Sequence, residues 1–107
     1  MAKTMKLVPL GPVDRVPKGQ GVCFIVGGEE IAVFRQRDGT IYASQNRCPH
    51  KRGPLCDGIM GAGVVICPFH GHKFDLTSGQ GPDQERLRIY PVKEKDGQIL
   101  LTPEPLP

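Results

Sequence analysis

The chain has 107 residues, a formal net charge of +3 and 6% aromatic side chains. That length supplies one hydrophobic core and leaves no room for a second catalytic module. So small and evenly spread a charge argues against a nucleic-acid footprint, and so few aromatics argue against a base-stacking platform. Glycine and proline make up about a quarter of the residues, about twice the usual share. The apolar fraction is ordinary and the glycines fall between apolar runs, so they read as turns and not as disorder.

In chain order, the N-terminal "MAKTMKLVPLGPVDRVPKGQG" carries no long apolar segment followed by a small-residue cleavage site. No stretch approaches the length needed to cross a bilayer. A cytoplasmic protein without membrane association is therefore expected, with its thiols reduced. The run "VCFIV" (22–26) is short, continuous and β-branched, as a strand covered on both faces would be. Gly27-Gly28 leads into "IAVFRQ", and Asp38-Gly39 turns the chain into "TIYAS", which predicts a three-stranded meander over 22–44. Near the C-terminus, "RLRIYPVK" and "QILLTP" predict a hairpin across Asp96-Gly97, with Pro91 at an edge or a bulge. The tail "TPEPLP" is proline-rich and is expected to be ordered only by docking. No segment shows sustained helical period. The class is all-β, a small antiparallel sandwich or barrel.

Residues 46–82 are a different kind of sequence, with three of the four cysteines, all three histidines and many glycines and prolines. A stretch so poor in core material needs another organiser, and a metal centre would supply one. In it, "VVIC" and "KFDL" read as short strands that carry ligand loops. The pattern is C-x-H at Cys48 and His50, sixteen residues, then C-x-x-H at Cys67 and His70. Soft thiolates suit zinc and iron–sulfur clusters, and imidazole suits both. Zinc fingers usually group cysteines first and histidines afterwards. One of each per loop fits a two-iron centre better, with cysteines on one iron and histidines on the other.

The pattern C-P-H-x₁₆-C-P-F-H-G resembles the Rieske [2Fe–2S] domain, in which two histidines replace two cysteines on one iron. The resemblance covers nearly the whole chain, as a single domain with a β-rich base and a two-loop cluster-binding part at about 46–82. It implies one [2Fe–2S] cluster per chain, with Cys48 and Cys67 on the inner iron and His50 and His70 on the outer. Gly53, Pro54, Gly71 and the "DLTSG" turn also match the family's loop positions. Within the family, "NRCPHKRGPLCDGIM", "CPFHGHKFDLTSGQ" and the trailing "IYPVKEKDGQILL" are similar to the small subunit of NAD(P)H-dependent nitrite reductases. The ferredoxin components of ring-hydroxylating dioxygenases are the main alternative, and a structural zinc module is the second.

The resemblance implies an oxidoreductase subunit that carries one electron and does not turn over alone. Its partner would be the large subunit of nitrite reductase, or a ferredoxin reductase and oxygenase pair. A whole oxygenase would need a second iron held by two histidines and a carboxylate. Once His50 and His70 are assigned, His72 alone remains. There is likewise no glycine-rich dinucleotide fingerprint. Cys23 is expected to be a buried thiol, Cys56 an unbridged packed thiol, and His72 a surface or supporting residue. In respiratory Rieske proteins a disulfide joins positions that correspond to Gly53 and Phe69, so that bridge cannot form here. Basic Arg47, Lys51, Arg52 and Lys73 outnumber Asp57 and Asp75 around the loops, which implies a docking face toward an acidic partner surface.

Overall fold

In the computed structural model, residues 7–49, 52–69 and 71–106 are described. Among them are ten strands: β1 (Val8–Pro12), β2 (Gln20–Val26), β3 (Glu29–Arg35), β4 (Ile41–Gln45), β5 (Ile59–Gly61), β6 (Val64–Ile66), β7 (Lys73–Asp75), β8 (Ile89–Tyr90), β9 (Val92–Lys95) and β10 (Gln98–Leu101). The described helical pieces are single 3₁₀ turns at Val13–Arg15, Leu55–Asp57 and Pro82–Gln84. No helix among the described residues is long and apolar enough to cross a membrane.

The strands form three antiparallel sheets in the orders β1-β10-β9, β2-β3-β4-β8 and β5-β6-β7. The 22–44 meander forms as expected. Its first reversal has positive φ at both Gly27 and Gly28, the backbone that matches strand twist in a two-residue hairpin. Asp96 and Gly97 repeat that conformation between β9 and β10.

Burial corrects one expectation. β2 lies at the edge of its sheet, and Ile25 on it is 68% exposed. The strand covered on both faces is β3, where Ile31, Ala32, Val33 and Phe34 are all buried. Alternation sends Ile31 and Val33 into one apolar cluster, with Leu10, Val16, Phe24, Tyr90, Ile99 and Leu101. Ala32 and Phe34 enter a second cluster, with Leu55, Val65, Phe74, Leu76 and the two cysteines Cys48 and Cys67. β3 is thus the wall shared by the base and the loop region.

Pro91 separates β8 from β9, and the two belong to different sheets. A residue with no N–H cannot continue a ladder, so the chain changes sheet there. The proline-rich tail docks through the Leu106 N–H, which donates to the Ile89 carbonyl at 2.7 Å.

Candidate metal centre

The two cysteine loops are built on one backbone pattern. In the first, the Cys48 N–H donates to the Gly53 carbonyl at 2.9 Å, and the Cys48 carbonyl accepts from the Arg52 N–H at 2.7 Å. In the second, the Cys67 N–H donates to the His72 carbonyl at 2.8 Å, and the Cys67 carbonyl accepts from the Gly71 N–H at 3.1 Å. Each cysteine therefore gives its N–H to the residue five ahead and takes an N–H from the residue four ahead. That fourth residue has positive φ in both loops, 59° at Arg52 and 73° at Gly71. An arginine held there costs on the order of 1–3 kcal/mol, which the surrounding hydrogen bonds must offset. Pro49 and Pro68 follow the cysteines directly and fix φ at the loop shoulders.

Cys48 and Cys67 are 1% and 2% exposed and share the second apolar cluster. The loops touch. A Cβ added to Gly53 would stand 3.0 Å from the Phe69 ring and 3.3 Å from Cys67 Sγ. Gly53 and Phe69 are the positions that the respiratory disulfide would join. Here an aromatic ring laid on a glycine makes the contact between them. His50, Lys51 and His70 lie outside the described residues. The donor chemistry that is described fits an iron–sulfur centre: two buried thiols on matched turns, brought into one packed cluster.

Each loop has a polar anchor, and sequence reasoning missed the one on the first loop. Asn46, 2% exposed, uses both ends of its amide: Nδ2 donates to Glu30 Oε1 at 2.9 Å, and Oδ1 accepts from the Cys56 N–H at 3.0 Å. Its backbone adds bonds to the Glu30 carbonyl and from the Leu55 N–H, at 3.1 and 2.7 Å. Asn46 thus joins β3, the loop entry and the loop exit. The Glu30 carboxyl is held below its usual range by the Asn46 amide and then by Arg47, whose guanidinium is 3.0 Å away. A short amide just before the first cysteine, in a position that competes for backbone groups, was the available signal.

On the second loop, His72 is half-buried, with Nδ1 2.8 Å from Glu85 Oε1. Below it, Asp75 Oδ1 accepts the Thr77 and Ser78 N–H groups at 2.7 and 2.9 Å, which forms the "DLTSG" turn. The Ser78 bond and then the Thr77 bond hold that carboxyl below its usual range. Cys23 differs from its expectation: it is half-buried rather than buried, because β2 is an edge strand. Cys56 is half-buried and unbridged, as expected.

An all-β chain with two matched cysteine turns over a shared core has the frame of a small metalloprotein. The profile of the Rieske-like [2Fe–2S] domain matches residues 6–102, and the chain belongs to that family, whose members bind a [2Fe–2S] cluster. It is 31% identical over 104 residues to the ferredoxin component of naphthalene 1,2-dioxygenase/salicylate 5-hydroxylase systems from Ralstonia sp., covering 94% of this chain and 99% of that one. It is 38% identical over 88 residues to 4β-methylsterol monooxygenase of Methylococcus capsulatus, covering 71% of this chain but only 24% of that protein's length. A crystal structure reported as the small subunit of an NADPH nitrite reductase superposes with a TM-score of 0.82 at 29% identity, over 91% of this chain and 98% of that one. The chain is a Rieske [2Fe–2S] electron-transfer protein.

Proposed function

We propose that Cys48, His50, Cys67 and His70 hold the cluster, in a single domain whose cluster-binding part spans about 46–82. The observation that carries this reading is the repeated backbone turn, which prepares the same cysteine geometry twice and sets the two turns against each other. When bound, the cluster supplies a one-electron store. The chain's own residues hold the thiols dry and present the loop tips, where Phe69 is 58% exposed beside Cys67.

The partner we propose is the large subunit of an NAD(P)H-dependent nitrite reductase. Supporting it are the motif "IYPVKEKDGQILL", which forms β8 through β10, and the full-length similarity to the reported small subunit. A second reading, the ferredoxin component of a ring-hydroxylating dioxygenase system, is favoured by the near full-length identity to the Ralstonia protein. One reconstitution decides between them. With a sirohaem-containing large subunit, added holo chain should stimulate NAD(P)H oxidation that depends on nitrite, and the stimulation should saturate. No stimulation there, with hydroxylation restored in a reductase and oxygenase mixture, would overturn the first reading in favour of the second.

A further inference from the structure

Away from the two loops the molecule holds another pair of cysteines. Cys23 lies on β2 and Cys56 in the Leu55–Asp57 turn, both half-buried and unbridged. β2 lays one face on that turn. Gly21, two residues from Cys23 and so on the same face, is close enough that an added Cβ would stand 3.1 Å from the Cys56 carbonyl oxygen. The two thiols are near enough to interact side chain to side chain, and Asn46 spans their surroundings, with Nδ2 donating to Glu30 Oε1 and Oδ1 accepting from the Cys56 N–H. Glu30 Oε1 is 4.0 Å from Cys23 Sγ, and Asp57 Oδ1 is 3.9 Å from Cys56 Sγ.

The site has two unequal sulfurs. Burial raises both thiols, Cys56 up to about 11, so the pair is protonated at neutral pH. Burial and then the Glu30 carboxylate raise Cys23, but Arg47 opposes them, and Cys56 has no such cation beside it among the described residues, which assigns the first attack to Cys23. The turn that carries Cys56 also grips the first cluster loop, since the Leu55 and Cys56 N–H groups both donate to Asn46, two residues before Cys48.

We propose that Cys23 and Cys56 form a second redox site, a dithiol that a low-molecular-weight disulfide converts into a cross-link between β2 and the exit of the first cluster loop. The Cys23 thiolate attacks one sulfur of the small disulfide and expels one small thiol. Cys56 then gives up its proton and attacks the Cys23 sulfur of the mixed disulfide, which expels the second. Two protein thiols are oxidised and one small disulfide is reduced to two thiols, so atoms and electrons balance. The cross-link fixes the turn that holds Asn46, and through it the base of the Cys48 loop.

The test treats anaerobic holo protein with oxidised glutathione at mildly alkaline pH, followed by intact mass, peptide mapping and the rate of iron release to a chelator. The protein should lose the mass of two hydrogens and yield a linked Cys23–Cys56 peptide. Cys56→Ser should trap a stable glutathione adduct on Cys23, whereas Cys23→Ser should leave Cys56 unmodified. Iron release should slow in the linked protein, recover on reduction, and be unaffected by oxidant in either variant. Thiols that remain alkylatable after treatment, a stable adduct on the unsubstituted protein, or a linked protein that releases iron at the original rate would each overturn the proposal.

Discussion

With His70 as the proposed second histidine ligand, His72 and Phe74 fall two and four residues after it, where the high-potential Rieske proteins that the chain resembles carry hydroxyl donors. Phe74 is fully buried in the same apolar cluster as Cys48 and Cys67, and it has no donor. His72 directs Nδ1 to Glu85. Fewer donors stabilise the added negative charge of the reduced state less, which lowers the potential. Voltammetry near neutral pH should give a midpoint below about 0 mV, in the lower part of the roughly −150 to +300 mV Rieske range. Phe74→Tyr should move it upward, and a downward shift would contradict the hydrogen-bond account. Cys56 gives a second prediction at this scale. Its thiol is raised from 9.0 to about 11, so stability that rests on the protonated form is complete below about pH 9 and is lost as pH rises through about 11. Alkylation of Cys56 should accelerate about tenfold per pH unit below that value. A pH-independent rate would contradict the burial that causes the shift.

At the scale of elements, Asn46 ties the first cysteine loop to β3 and to the Leu55–Asp57 turn. Asn46→Ala leaves the Cys56 N–H without its acceptor and takes the amide donor from Glu30, which keeps Arg47. Such a loss costs about 1–3 kcal/mol. It should show as lower chemical-denaturation stability and faster cluster loss, and Asn46→Asp, which keeps the acceptor oxygen but sets a second carboxylate against Glu30, should not restore the parent stability. Equal behaviour of the alanine variant and the parent would rule out the latch. The hairpins were legible because Gly27-Gly28 and Asp96-Gly97 state their turn type in the sequence. β1 was not, since "VPLGP" holds two prolines and a glycine and pairs on one side only, with β10, through an irregular register. β5 was hidden by its three-residue length and by Ala62 at φ 51°, an unusual turn residue. The two-sided burial of β3 could not be read from "IAVFRQ", because it depends on which sheets close over each face. The loop cysteines stood out by their spacing and by the family resemblance, whereas Asn46, Glu30 and Glu85 act through contacts between segments far apart in the chain.

For the molecule as a whole, one chain wall serves both halves: β3 buries one face in the base and the other against the cluster loops. The described cations near the loops are unequal in their freedom. Arg47 is paired with Glu30, whereas Arg52 and Lys73 are exposed. Reversing Arg52 and Lys73 to glutamate should slow electron transfer to an acidic partner at low salt and flatten the salt dependence. Unchanged rates across ionic strength would remove these residues from the docking face. The central claim, a two-iron centre with one cysteine and one histidine from each loop, is tested most directly by electron–nuclear double resonance on the reduced holo protein grown with ¹⁵N-histidine. The account predicts strong couplings from two directly bound histidine nitrogens, with one lost and the cluster destabilised in His50→Ala or His70→Ala. A cluster signal without histidine nitrogen coupling, or bound zinc in place of iron, would contradict it.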